Sequence, residues 1–429
     1  MKFENANGSL SRRKFCGVVT LASLGWPLLS EAAEQNSSKE NPFAAFDREM
    51  RQFMEPRKIP GATLAVVKDR RLVYAQGYGW ADREKRLPAR PDSLFRIASI
   101  SKPFTAVAIL QLVEKGKLRL DAPVFDLLRP QPCSTSVTKR DDRLKAITVR
   151  QLLQHTAGWD RDKSFDPMFR PRQIAQALNV PSPPGPQEII CYMLARPLDF
   201  DPGTRYAYSN FGYCLLGRII EKLTGLGYEA YMQKNVLAPI GITRMRIGRS
   251  QLELRAQGEA NYYSASSERI RSLFDDQMVP WPDGGFYLEA MDAHGAWIAS
   301  VLDLARFAAA LDEPRQSPLL KPNSVAAMYA PPAAPVSRDS DGKLAETYYG
   351  CGWSIRVTNH NGKANYWHLG SLPGTFSLLV RRWDGLSWAA LFNQRSEDEK
   401  LPDSAIDSAL HRAADAVTRW PTENLFKKM

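Results

Sequence analysis

Ile97-Ala98-Ser99-Ile100-Ser101-Lys102-Pro103-Phe104 opens an apolar run that continues to Glu114 and stops near Gly116. Proline has no N–H for the carbonyl four residues back, so Pro103 must lie in the first turn of the helix it enters. The helix then begins at about Ser99. Ser99 and Lys102, three apart, share one face, and the serine hydroxyl sits at the positive end of the helix dipole. A desolvated lysine placed there has a lowered pKa and can take the serine proton. Ser-x-x-Lys alone recurs by chance in most chains of this length. Its weight comes from its setting, at the start of an apolar helix after a charged extended segment.

Outward from this stretch, residues 43–56 have helical spacing, with Phe43, Phe46, Met50 and Phe53 apolar. Residues 62–67 and 72–78 read as two strands joined by Lys68-Asp69-Arg70-Arg71, a hairpin closed by Gly77 and Gly79. From about Val149 to Ala310 the pattern is mostly helical, broken by proline-rich loops such as Pro181 to Pro186. Strands are expected at 352–357, 376–381 and 388–392, and a last helix at 404–419. The predicted fold class is α+β, an α/β sandwich: an antiparallel sheet flanked by helices and built from both chain ends, with a mostly helical domain inserted. The expected boundaries are 34–95 and 296–429 for the sheet domain and 96–295 for the helical one.

Two further stretches carry chemistry. Asp201-Pro202-Gly203-Thr204-Arg205-Tyr206-Ala207-Tyr208-Ser209-Asn210-Phe211-Gly212 places Tyr208 and Asn210 just before an apolar helix. Trp367-His368-Leu369-Gly370-Ser371-Leu372-Pro373-Gly374-Thr375 precedes a strand. Each is bland alone, since Tyr208 could be a packed ring and His368 a solvated turn residue. Their order is not bland. Ser-x-x-Lys, then Tyr-x-Asn, then His-x-Gly closely resembles the serine hydrolases that include class C β-lactamases, D-Ala-D-Ala peptidases and related carboxylesterases. Two more segments fit the resemblance: Val149 to Gly158, containing Leu152-Leu153-Gln154-His155-Thr156-Ala157-Gly158, and Ala296 to Phe307. It spans roughly 43–419.

The resemblance implies roles residue by residue. Ser99 is the nucleophile that forms an acyl-enzyme. Lys102 and Tyr208 form the proton-transfer pair, either able to serve as base, and Asn210 holds the lysine and the acyl side chain. The backbone N–H groups of Ser99 and Ser371 form the oxyanion hole, where negative charge develops in the tetrahedral intermediate. His368 takes the place of the lysine of the β-lactamases, and Leu369, Gly370 and Trp159 stand beside substrate. The sequence departs from the family at Leu369, where β-lactam binders have a threonine whose hydroxyl helps hold the substrate carboxylate. Neutral His368 adds no fixed charge at pH 7. Losing one charge-assisted hydrogen bond costs roughly 1.5–3 kcal/mol, which demotes β-lactams and raises uncharged esters, amides and D-amino-acid peptides. Arg161 or Arg356 could restore a carboxylate site. His155 is read as a packing residue inside the helical region, and Trp159 to Asp162 as equally a cleft lining or a loop cap.

Length and composition set the outer bounds. The chain has 429 residues, 44% hydrophobic and 24% charged, which is globular usage. Of the net charge of +11, residues 1–33 carry +2, from Lys2, Arg12, Arg13 and Lys14 against Glu4 and Glu31. The remaining excess is interleaved with acids and has no basic run beside aromatics, so nucleic acid is not expected as a partner. Ser11-Arg12-Arg13-Lys14-Phe15, an apolar stretch to Leu29 and Ser30-Glu31-Ala32-Ala33 form a signal peptide of twin-arginine type, with Cys16 a small departure. Export to the periplasm or another extracytoplasmic space follows, with no membrane span after its removal. Cys133, Cys191, Cys214 and Cys351 form no CxxC pair, and free buried thiols are expected. No metal or cofactor motif is present: HExxH, P-loop and Gly-x-Ser-x-Gly are absent, and Asp339-Ser340-Asp341-Gly342 lacks the closing glutamate of a calcium loop.

The function expected is an exported serine hydrolase cleaving ester or amide bonds in a small-molecule or peptidoglycan-like substrate. A β-lactamase or D-alanyl-D-alanine carboxypeptidase is the neighbouring alternative. A slowly acylating β-lactam-binding or sensing module, from another class, would show a damaged lysine, tyrosine or asparagine, and here all three stand.

Overall fold

The computed structural model describes residues 41–129, 140–360 and 362–428. The expected signal segment and Cys133 lie outside these residues. Residues from Pro42 onward form one compact unit.

Helix α1 (Ala44–Met54) forms because Phe46, Met50 and Phe53 recur at i, i+4 and i+7, and all three are buried. Strands β1 (Gly61–Lys68) and β2 (Arg71–Asp82) follow as an antiparallel hairpin. Its turn puts Asp69 and Arg70 at φ +47° and +65°. Two successive left-handed residues match the right-handed twist of the flanking strands. A short β3 (Leu87–Pro88) adds to β2. The rest of the sheet comes from the far end of the chain: β4 (Thr347–Tyr349), β5 (Ser354–Val357), β6 (Ala364–Leu372), β7 (Thr375–Arg381) and β8 (Leu386–Phe392). Across the sheet the order is β3-β2-β1-β8-β7-β6-β5-β4, with every neighbouring pair antiparallel. The two ends of the chain therefore meet at β1 and β8, in register from Ala62–Phe392 to Lys68–Leu386.

Both faces of the sheet are covered, which is why β7 and β8 are buried along their whole length. On one face α1 and α5 (Ala405–Asp415) pack over Leu64, Val66, Leu378, Val380, Trp388 and Ala390. On the other, α4 (Val301–Asp312) lies against β1, β7 and β8, and beyond it sits the helical region. At its centre is α2 (Ser101–Glu114), whose residues 101–112 are all buried. A helix apolar all round is one packed on every side. Helix α3 (Asn210–Thr224) starts under a Ser209 cap and ends at Gly225 with φ +71°.

The antiparallel sheet flanked by helices and assembled from both ends agrees with the expected fold class. Three details differ. The stretch around His368 is not a turn before a strand but the second half of nine-residue β6. Its glycine and polar residues hide the strand, which forms because Trp367 and Leu369 pair with Val380 and Leu378 of β7. The helical region also holds a short three-stranded sheet of Phe95–Arg96, Trp297–Ala299 and Arg246–Ile247. Finally, Cys214 and Cys351 are free and buried as expected, whereas Cys191 is disulfide-bonded.

Phe46 is fully buried on the α1 face, near the rings of Tyr74 and Trp420. Phe46→Ala is expected to cost about 3–5 kcal/mol of stability. Urea titration reads that loss directly. The activity per folded molecule should stay unchanged, because the sheet separates this face from Ser99.

Candidate active site

The Ser99 turn is held by the sheet. Ile97 N–H donates to Trp297 O at 3.0 Å, and the chain then turns at Ala98, whose φ is +47°. A non-glycine residue in the left-handed region stores strain that the surroundings must hold. Here the restraint comes from β7, where Thr375 Oγ1 lies 3.0 Å from Arg96 O and Ser377 Oγ donates to Ile97 O at 2.8 Å. Residues Ala98–Ile100 form a 3-10 turn and α2 begins at Ser101, so the regular helix starts two residues later than the Pro103 argument placed it. The pairing of β5 with β6 ends at Ser354–Trp367, which leaves residues 368–372 open on that edge. The segment leading into the Ser99 turn packs over the face of β6 and β7 here. Gly370 is required there, since a Cβ on it would lie 2.2 Å from both Ile97 O and Ser377 Oγ. Ser371, the second oxyanion donor implied by the resemblance, is the next residue.

Lys102 is fully buried, and its Nζ lies 3.1 Å from Ser99 Oγ, 2.7 Å from Asn210 Oδ1 and 2.9 Å from His294 O. Burial holds its pKa well below the ordinary lysine value, with Asp166 pulling up and Arg161 pushing down. A neutral amine in this position donates its two hydrogens to the Asn210 and His294 carbonyl oxygens. Its lone pair is then left to accept the Ser99 proton. Asn210 is the first residue of α3, and its Nδ2 donates to Asp166 Oδ2 at 2.6 Å, which turns Oδ1 toward the lysine. Burial raises the Asp166 pKa, partly offset by that hydrogen bond. Burial pushes the Tyr208 phenol above the ordinary range, while the neighbouring Ser99 hydroxyl and the charge of Arg161 pull it down. Burial thus favours the uncharged form of both the lysine and the tyrosine.

His368 points to the same side, yet both its nitrogens are engaged within the protein. Nδ1 lies 2.6 Å from Leu369 O, which can only accept, so Nδ1 carries the hydrogen and Nε2 accepts from Tyr349 OH at 2.9 Å. Burial, and then the charge of Lys102, push its pKa down to about 3. The side chain of Leu369 packs on the α1 and α5 face, so its contribution to the cleft is its backbone. Trp159 is a core residue, edge-on to Phe211 at 4.8 Å between ring centres. Arg356 cannot serve the cleft, since it is paired with Asp407 of α5 at 3.0 Å. Arg161 can: its guanidinium lies 4.6 Å over the Tyr208 ring. Asp160 caps its loop, accepting from the N–H groups of Asp162 and Lys163. His155 is not inside a helix. It follows one at φ +57°, buried, with its ring 4.3 Å from that of Tyr208.

Sequence reasoning missed Asp166, Tyr349, Thr375, Ser377 and the carbonyl of His294. Thr375 and Ser377 carried a signal, two hydroxyls on one face of a strand whose other residues before Arg381 are apolar. Asp166 and His294 act through loop geometry and carried none.

Two outcomes follow from this geometry. Gly370→Ala should displace the Ser99 turn from β6 and lower kcat by roughly 10²-fold, the scale expected for a misplacement near 1 Å. A kcat unchanged in that variant would mean the contact is not what seats the turn. Between pH 3 and 6.5 the unfolded chain binds a proton at His368 that the folded chain does not. That part of the stability is present above pH 6.5 and falls as pH drops, by up to 1.36 kcal/mol per unit. In His368→Gln, the pH dependence of unfolding free energy near pH 5 should therefore correspond to about one proton fewer taken up on unfolding.

The sequence family model described as Beta-lactamase matches residues 46–411. Penicillin-binding protein 4* of Bacillus subtilis (strain 168) is 26% identical over 363 residues, covering 83% of this chain and 73% of that protein. Esterase EstB of Burkholderia gladioli is 30% identical over 247 residues, 56% of this chain and 58% of the esterase. Among solved structures, the octameric penicillin-binding protein homologue from Pyrococcus abyssi superposes with a TM-score of 0.66 at 27% identity, covering 89% of this chain and 78% of that one. A match over most of the compact unit, on a fold of the same kind, establishes the family: this chain belongs to the Beta-lactamase family.

Proposed function

We propose that the protein is an exported serine hydrolase that cleaves esters or amides through a Ser99 acyl-enzyme, with uncharged esters favoured over β-lactams. The observation that carries this reading is Lys102 Nζ, buried and 3.1 Å from Ser99 Oγ, with its other two contacts to carbonyl oxygens. In acylation, Ser99 Oγ attacks the substrate carbonyl and its proton passes to Lys102. The oxyanion forms between the Ser99 and Ser371 N–H groups. Collapse expels the leaving group, which takes the Tyr208 proton, leaving a tyrosinate beside a lysine ammonium. In deacylation, water gives a proton to the tyrosinate as it attacks. The ammonium then returns its proton to Ser99 Oγ as the acid departs. Both carriers begin and end uncharged, in keeping with a site whose burial disfavours either ion alone.

The ranking of esters above β-lactams is supported by His368, hydrogen-bonded on both nitrogens with its pKa pushed down by burial, which puts no cation on β6. Esterase EstB among the relatives agrees with this reading. Penicillin-binding protein 4* keeps D-alanyl-peptide or β-lactam hydrolysis as the second reading. Export rests on the twin-arginine-like stretch at Arg12-Arg13; no helix among the described residues is long and apolar enough to cross a membrane.

The test compares kcat/KM for p-nitrophenyl butyrate and a chromogenic cephalosporin, with Ser99→Ala as blank. The ester should be the better substrate, and Ser99→Ala should reduce both to background with little change in melting temperature. Hydrolysis retained in Ser99→Ala would remove the nucleophile assignment. A cephalosporin rate at or above the ester would put the second reading first.

A further inference from the structure

We propose that Arg161 is the specificity-determining cation of the cleft, and that it holds a carboxylate borne by the substrate on the Tyr208 side of Ser99. The proposal rests on the serine-hydrolase reading above and names a substrate class for it.

Three observations carry it. First, the guanidinium lies 4.6 Å over the Tyr208 ring. Its five in-plane N–H donors form the fork that binds a carboxylate in two-pronged fashion. Second, those donors are available. Among the described residues Arg161 donates no hydrogen bond, and its one ion pair is to Asp162 at 3.7 Å, with the side chains 42% and 87% exposed. An exposed pair at that distance contributes little, so exchanging it for a substrate carboxylate is nearly free of cost. Third, its neighbours are otherwise committed. Asp160 is paired with Arg205 at 2.7 Å and Asp166 is hydrogen-bonded to Asn210. Lys102 is enclosed by its three partners, and the charge of Arg161 is felt by Lys102, Tyr208, Tyr206, His155 and Asp166 alike. Arg161 thus supplies, beside Tyr208, a cation that β6 does not carry. The cleft can turn away anions that need a charge on β6 and still accept anions that reach the Tyr208 side.

The carboxylate could be carried by the acyl part or by the leaving group. Two pairs of esters separate these: mono-p-nitrophenyl glutarate against p-nitrophenyl pentanoate, and m-carboxyphenyl acetate against phenyl acetate. In the wild-type protein one anionic ester should have a KM about tenfold below its neutral partner, with similar kcat. Arg161→Gln should erase that ratio, and Arg161→Lys, which keeps the charge without the fork, should retain part of it. Arg412→Gln, which removes an exposed positive charge from α5, should leave the ratio intact and so excludes steering by net charge. The proposal is overturned if neither anionic ester is preferred, or if the preference survives Arg161→Gln. Equal loss on neutral and anionic esters also overturns it, because the arginine would then serve only Tyr208. Neutral-ester rates that match Ser99→Ala overturn the serine-hydrolase reading and this one with it; Ser99-dependent rates without the anion preference overturn this one alone.

Discussion

An amine enclosed in protein, with no carboxylate in hydrogen-bonding contact, is the constraint around which this molecule is arranged. Water cannot reach Lys102, and its three polar contacts are a hydroxyl and two amide oxygens. A charged ammonium there would lack most of its solvation, so burial favours the neutral amine and holds its pKa well below the ordinary lysine value. The unfolded chain holds that proton at any pH below the ordinary lysine value. Folding must therefore release it, at a cost that grows as pH falls toward the folded pKa. The surrounding core offsets that cost: α2 is buried on all sides, with Phe104 stacked on Phe307 at 3.7 Å between ring centres. Each partner of the lysine arrives on a different element. Ser99 comes on a strained turn, Asn210 at the capped start of α3 and the His294 carbonyl on the loop before Trp297.

The sheet contributes an interruption as well as a scaffold. Because β5 pairs with β6 only as far as Trp367, the backbone from His368 to Leu372 lacks a strand on that edge. Beside it the Ser99 turn lies over the face of β6 and β7, pinned to β7 by two hydroxyls and admitted by the missing side chain at Gly370.

Charge in the cleft is kept off the reacting centre. His155, His294 and His368 are all buried with pKa values pushed below the ordinary range, chiefly by burial, and Tyr208 is pushed up. Protons can move among such groups without leaving an ion in the resting site. Arg161 sits at the solvent boundary, its side chain 42% exposed.

Much of this was legible in the chain. The α1 periodicity, the β1–β2 hairpin, the apolar β7 and β8 and the helix near residue 405 are local patterns, and local patterns survive without knowledge of what lies opposite. Strand β6 was not legible, because its residues become a strand only when β7 lies alongside. Nor were the bond at Cys191, the burial of Trp159 or the pairing of Arg356 with Asp407, each of which depends on a partner distant in sequence or on burial. By itself the sequence determined most of the local elements and the family, and it pointed to Ser99, Lys102, Tyr208 and Asn210, because spacing along a helix and residue order are properties of the chain alone. Only the tertiary structure decided which of these groups carry charge, which face Leu369 takes and which arginine reaches the cleft. Protonation and exposure depend on the solvent that the fold removes, and that is a property of the packed molecule.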